Sequence, residues 1–217
     1  MSTSAQVNKT TQAWIRMTAQ NTETVSLMRT IRDRFRAQMR AASAGTPIPE
    51  SFFAALTANE SGGDVNASRY EAYELAQFAL VLCGKRDSYQ GITASQLTSR
   101  LAGVLSISSG VRQLVDLCTS WGPTQIMGWH AIRLGVQLSA IQKIESHYSY
   151  TSYELLQFTK QFYPELMVQA AMHEDQREGI CIGLFHCWNS GKPSNPTTDP
   201  LYASRGLARM KAYEALP

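Results

Sequence analysis

Glu60 is the residue in this chain whose type and setting best suit catalysis. It closes a helix expected over residues 51–60, in which Phe52, Phe53 and Leu56 are apolar, and a Ser61-Gly62-Gly63 turn follows. A carboxyl group at a helix C-terminus faces the negative end of the helix dipole, and an apolar wall withdraws solvent from it. Both disfavour ionisation. A carboxylic acid that keeps its proton near neutral pH is what general acid catalysis requires, although the same position suits an ordinary glutamate at a helix end. Cys181, His186 and Cys187, with His173 upstream, lack the CxxC or HExxH spacing of a metal site. Cys181, Leu184, Phe185 and Trp188 fall on one helical face, which reads as core. There is no Gly-x-Ser-x-Gly element, no Gly-rich phosphate loop and no basic patch interleaved with aromatics. No metal, no cofactor and no nucleic-acid partner is therefore expected.

Four blocks in order surround Glu60 and extend to the end of the chain. The first is Ala58-Asn59-Glu60-Ser61-Gly62-Gly63-Asp64-Val65-Asn66-Ala67, and Ser68-Arg69-Tyr70-Glu71 follows it directly. The third is Ser120-Trp121-Gly122-Pro123-Thr124-Gln125-Ile126-Met127-Gly128, and the fourth is Cys187-Trp188-Asn189-Ser190-Gly191. Together they resemble the signature of lytic transglycosylases and goose-type lysozymes. That signature has a helix ending in Glu-Ser, an Asn-x-x-Ala turn, a Gly-Leu-Met-Gln-Ile-Met segment and an Ala-Tyr-Asn-Ala-Gly turn before a last helix. The resemblance runs over residues 50–216. It departs at Pro123-Thr124, where the family has Leu-Met, and at Trp188, where the family has a tyrosine whose hydroxyl lies near the acid.

The resemblance implies a lysozyme-like fold and cleavage of the β-1,4 bond between N-acetylmuramic acid and N-acetylglucosamine in peptidoglycan glycan strands. Glu60 would protonate the bridging oxygen. It would then act as base on the C6 hydroxyl, which closes a 1,6-anhydro ring without a second protein carboxylate or a metal. A hydrolytic muramidase would instead need a positioned water and usually a second carboxylate. Glu71 is the first candidate for that role, ahead of Asp64, Asp87 and Asp116, and a solvated first-turn glutamate is the plain alternative. By the same likeness Gln125 and Asn189 contact acetamido groups or the acid, although asparagine also caps helices well. Ser61 bonds substrate or closes the helix. Met127 and Trp188 line the groove with Trp121, Tyr148, Tyr150 and Tyr153, or else pack in the core. A chitin-cleaving enzyme and a catalytically silent wall-binding protein are the remaining readings.

Helices must position these residues. A stripe of Val25, Met28, Ile31, Phe35 and Met39 among arginines predicts a helix over 22–43, ended by Thr46-Pro47-Ile48-Pro49. Further helices are expected over 71–83, 93–101, 111–118, 151–172 with a break or kink at Pro164, 174–188 and 201–216, with a Pro-rich loop over 190–200. Alternating β patterns are weak. The expected fold is thus mostly α: a lysozyme-like single domain over 46–217 with an N-terminal basic helical extension over 1–45.

The 217 residues carry 44% hydrophobic and 17% charged types, enough for a globular core and too few charges for disorder. The net charge of +3 is uneven. Residues 1–40 hold seven basic and two acidic side chains, a balance of +5, against −2 for the rest. Residues 22–43 therefore present either a solvated face or a contact with anionic membrane or wall polymer. No run is long and apolar enough to span a membrane, and the first residues lack a signal-peptide layout. Synthesis in the cytoplasm with action on the wall fits a phage lysis enzyme, a virion component or a delivered toxin. Cys83, Cys118, Cys181 and Cys187 are expected to be reduced and buried.

Overall fold

The computed structural model describes residues 9–101, 107–168 and 173–217. The end of the helix expected over 151–172 and part of the glycine-rich stretch 84–110 lie outside them. The chain is mostly helical. In order it runs α1 (Lys9–Gln20), α2 (Thr22–Ser43), α3 (Glu50–Glu60), β1 (Ser68–Tyr70), α4 (Ala72–Leu82), β2 (Ser88–Tyr89), β3 (Ile92–Thr93) and α5 (Ala94–Leu101). It continues through α6 (Ile107–Leu117), β4 (Thr119–Trp121), β5 (Ile126–Met127), α7 (His130–Arg133) and α8 (Leu138–Gln142). It ends with α9 (Ile144–Phe162), a 3-10 turn (Pro164–Met167), α10 (Glu174–Ser190) and α11 (Tyr202–Glu214). None of the described helices is long and apolar enough to cross a membrane.

The contacts gather into two compact units, Met1–Gly63 with Tyr148–Pro217, and Asp64–His147. The first unit is built around α3. Residues 51–58 of this helix are all buried, and a helix that is covered on every side belongs in a core rather than on a surface. α2 and α11 pack directly on it. The stripe Met28, Ile31, Phe35, Met39 and Ala42 of α2 is buried. Asn21 caps α2 by accepting from the backbone N–H groups of Glu23 and Thr24 at 2.8 and 3.3 Å. Phe52 of α3 stacks on Phe185 of α10, with centroids 4.3 Å apart. A Cβ at Gly206 of α11 would lie 2.6 Å from the Phe185 ring, so that position admits only glycine.

Among the described residues, α1 packs on α11 and α2 on both α3 and α11. α2 uses the apolar stripe that its periodicity shows, and α1 buries Ile15. Helix α9 starts at Ile144 rather than at 151, and it breaks just before Pro164, one of the two outcomes expected there. Its first turns hold polar residues, among them His147, which is buried only because it finds hydrogen-bond partners.

The second unit holds the strands. Its sheet has the antiparallel order β1-β4-β5, with Arg69 opposite Ser120 and Ser120 opposite Met127. β2 and β3 form a hairpin whose turn residues Gln90 and Gly91 both have positive φ, 53° and 72°, as a type I′ turn requires. Strands of two or three residues are too short to show alternation, so the weak β signal concealed a real sheet. Phe78, Val81, Ile92, Leu97, Leu117, Cys118 and Trp129 form the core of this unit. Cys118, Cys181 and Cys187 are buried, and burial pushes each thiol up to about 12. Cys83 is exposed, contrary to expectation, because it caps α4 on the solvent side.

Candidate active site around Glu60

Glu60 is the last residue of α3 and is half-buried. The Tyr202 hydroxyl, from the first residue of α11, donates a hydrogen bond to Glu60 Oε1. Tyr202 is 6% exposed, and its ring meets Phe185 edge-on at 6.3 Å. Burial holds this hydroxyl well above its ordinary range, and the Glu60 charge pushes it the same way. Tyr202 therefore stays a donor.

A second link runs beside the first. Asn59 Nδ2 donates to the Tyr202 carbonyl at 3.0 Å, and Arg209 Nη1 donates to Asn59 Oδ1 at 2.7 Å. Burial, followed by the neighbouring Arg205 charge, lowers the Arg209 guanidinium to about 10, which still leaves it charged at neutral pH. Tyr202 and Arg209 thus grip the final turn of α3 from one helix. Deeper in, Thr57 Oγ1 and the Tyr148 hydroxyl share a buried hydrogen bond of 2.9 Å.

Ser61 closes the helix. Its Oγ donates to the Thr57 carbonyl at 3.2 Å and accepts from the Gly63 N–H at 3.1 Å. Trp188 (half-buried) and Asn189 (exposed) occupy the last turn of α10, which packs on the helix carrying Tyr202. Gly191, with φ 81°, ends α10 in the left-handed conformation. The structure therefore brings Glu60, Ser61, Trp188 and Asn189 into one unit. Among the described residues, no group of three or more His, Cys, Asp or Glu side chains is placed to hold a metal ion.

Glu71, Gln125 and Met127 belong to the other unit. Glu71 precedes α4 and pairs with Arg69 Nε at 2.5 Å. Gln125 has an unusual φ of 55°, and its amide braces the β4–β5 connection. Nε2 donates to the carbonyls of Gly122 and Ala67 at 2.9 and 3.1 Å, and Oε1 accepts from Ser120 Oγ at 2.7 Å. Met127 is half-buried in β5 and packs against the core around Trp129. Asp116 is half-buried, and desolvation raises its carboxyl.

The departure at Pro123-Thr124 has a structural partner. Thr124 Oγ1 lies 2.7 Å from His147 Nε2, and the Thr124 N–H donates to the same nitrogen at 3.2 Å. His147 Nδ1 lies 2.8 Å from the Ile141 carbonyl and, carrying the proton, donates to it. This imidazole is fully buried, and desolvation lowers it to about 4, so it is neutral. Gly122 fits because a Cβ there would sit 2.7 Å from the His147 ring, at a φ of 71°.

Sequence reasoning missed Tyr202, Asn59, Arg209 and His147. Asn59 adjoins Glu60, but its partners lie about 150 positions later, and nothing local signals them. Comparison with known protein families, curated proteins and solved structures found no match.

Proposed function

We propose that this protein cleaves the β-1,4 bond between N-acetylmuramic acid and N-acetylglucosamine in peptidoglycan, with Glu60 as the catalytic acid and then base. The observation that carries the reading is the pairing of Glu60, at the exit of the buried helix α3, with the buried hydroxyl of Tyr202. The sequence resemblance supplies the substrate class.

The Glu60 carboxyl gives its proton to the bridging oxygen as the C1–O bond breaks. The carboxylate formed then accepts the C6 hydroxyl proton while that oxygen bonds to C1, which yields a 1,6-anhydro end and restores the acid. Tyr202 acts as a positioning residue: it keeps its proton and fixes the direction of Oε1. A tyrosine expected in the Trp188 position is thereby replaced in kind from another helix. Trp188 and Asn189 are the sugar-contacting candidates of the same unit, and Trp188 offers an indole face for stacking. The wall is the site of action.

Digestion of purified peptidoglycan by the native protein and by Glu60→Gln, with mass spectrometry of the fragments, tests this. Anhydro-muropeptides from the native protein alone are expected. Reducing-end fragments would make it a hydrolytic muramidase, with Glu71 the first carboxylate to examine. Fragments from chitin alone would move the substrate to unbranched chains. No fragments from either protein would leave a wall-binding role.

A further inference from the structure

One side of α2 carries arginines in a line, three of them exposed. Arg29, Arg32, Arg36 and Arg40 follow at intervals of three, four and four residues, which at ~100° per residue confines them to an arc of roughly 80°. The line is about 16 Å long at the helical rise of ~1.5 Å per residue. Arg32 is largely covered, with 18% of its side chain exposed, and it donates to the Pro217 carbonyl at 2.7 Å and lies 3.8 Å from Asp33. Arg36 stands 3.7 Å from Glu50 with 62% of its side chain exposed. Arg29 and Arg40 are exposed and have no ion pair or side-chain hydrogen bond among the described residues. A hollow lined by Asp33, Arg34, Arg36, Ala37, Gln38 and Arg40 flanks the line and meets it at Arg36 and Arg40. The exposed guanidinium groups of Arg29, Arg36 and Arg40, against Asp33 and Glu50, leave the face positive.

We propose that this arginine line binds a linear polyol-phosphate polymer of the cell wall. The choice of a wall polymer rests on the wall-cleaving reading above. Guanidinium groups match phosphate oxygens in a two-pronged geometry, and a single file of them suits a chain whose charges recur along one direction. Membrane insertion is disfavoured, because the apolar stripe of α2 is already buried in its own unit, with Met28, Ile31 and Met39 at 0% exposure. An amphipathic helix enters a bilayer only with that face open.

The test titrates the full chain with a purified glycerol-phosphate polymer between roughly 50 and 200 mM salt. The native protein should bind, with affinity falling steeply as salt rises. Arg29→Gln/Arg40→Gln should bind at least tenfold more weakly at low salt, and the slope of log affinity against log salt should drop by about two. Lys85→Gln/Lys143→Gln, which removes equal charge from the other unit, should bind like the native protein. Equal losses in both double variants would overturn the proposal. So would an absence of polymer binding by the native protein, or tighter binding to phosphatidylglycerol vesicles or duplex DNA than to the polymer. Arginine-dependent binding with no fragments released from polymer-free peptidoglycan would support this contact and overturn the cleavage reading instead.

Discussion

Burial and the neighbouring carboxyl hold the Tyr202 hydroxyl well above its usual range, so Tyr202 donates to Glu60 throughout the physiological pH range. A hydrogen bond to a charged group contributes ~1.5–3 kcal/mol. If that bond orients the acid, Tyr202→Phe should lower kcat by roughly tenfold to a hundredfold while KM changes little. Muropeptide release kinetics would show this, and a raised KM at constant kcat would argue against a positioning role. Gly122→Ala combines a strained φ with a 2.7 Å approach to His147. It should destabilise the protein by about 2–4 kcal/mol in thermal unfolding. The setting of Glu60, at the end of its helix and before a turn, was legible because these features are all local. Tyr202 was not, because its importance lies in a contact across 142 positions, and no periodicity encodes such a pair.

Helices with one apolar stripe were read well from the sequence. α2 spans the residues its periodicity predicts, and Pro49 sets the start of α3. The sheet escaped because register, hydrogen bonding and the Gln125 brace define it, rather than any run of β-formers. The connection between β4 and β5 also carries a pH dependence. His147 has its folded-state value lowered to about 4 from 6.5, so the unfolded chain binds the extra proton first. The stability contributed by the neutral imidazole is complete above pH 6.5 and is lost progressively as pH falls towards 4. Below that the folded form also protonates and the loss levels off. The full loss is about 3 kcal/mol at ~1.36 kcal/mol per unit. Urea midpoints measured from pH 7 to 4.5 should decline accordingly, and a flat profile would count against a neutral His147. Thr124→Val removes one of its partners and should cost about 1–2 kcal/mol at pH 7.

At the scale of the whole molecule, the first unit is discontinuous, with one segment before residue 64 and one after 147. The sequence showed no such division, since neither composition nor a linker marks residues 64 and 148. What separates the units is where the contacts fall. Because α11 packs on α1, α2 and α3, a chain ending at residue 200 should lose the fold of its N-terminal helices as well as its last one. Circular dichroism of that truncation should show helix loss far beyond the thirteen residues of α11, and retention of α1–α3 would contradict this packing. The same arrangement sets a clock on synthesis. Glu60 leaves the ribosome 142 residues ahead of Tyr202, an interval of ~7–30 s at typical elongation rates of about 5–20 residues per second. Throughout that interval Glu60 sits on a helix that has α2 beside it but lacks α11 and the Tyr202 hydroxyl. The Glu60–Tyr202 contact therefore forms only after Tyr202 has been made, a delay that topology alone imposes.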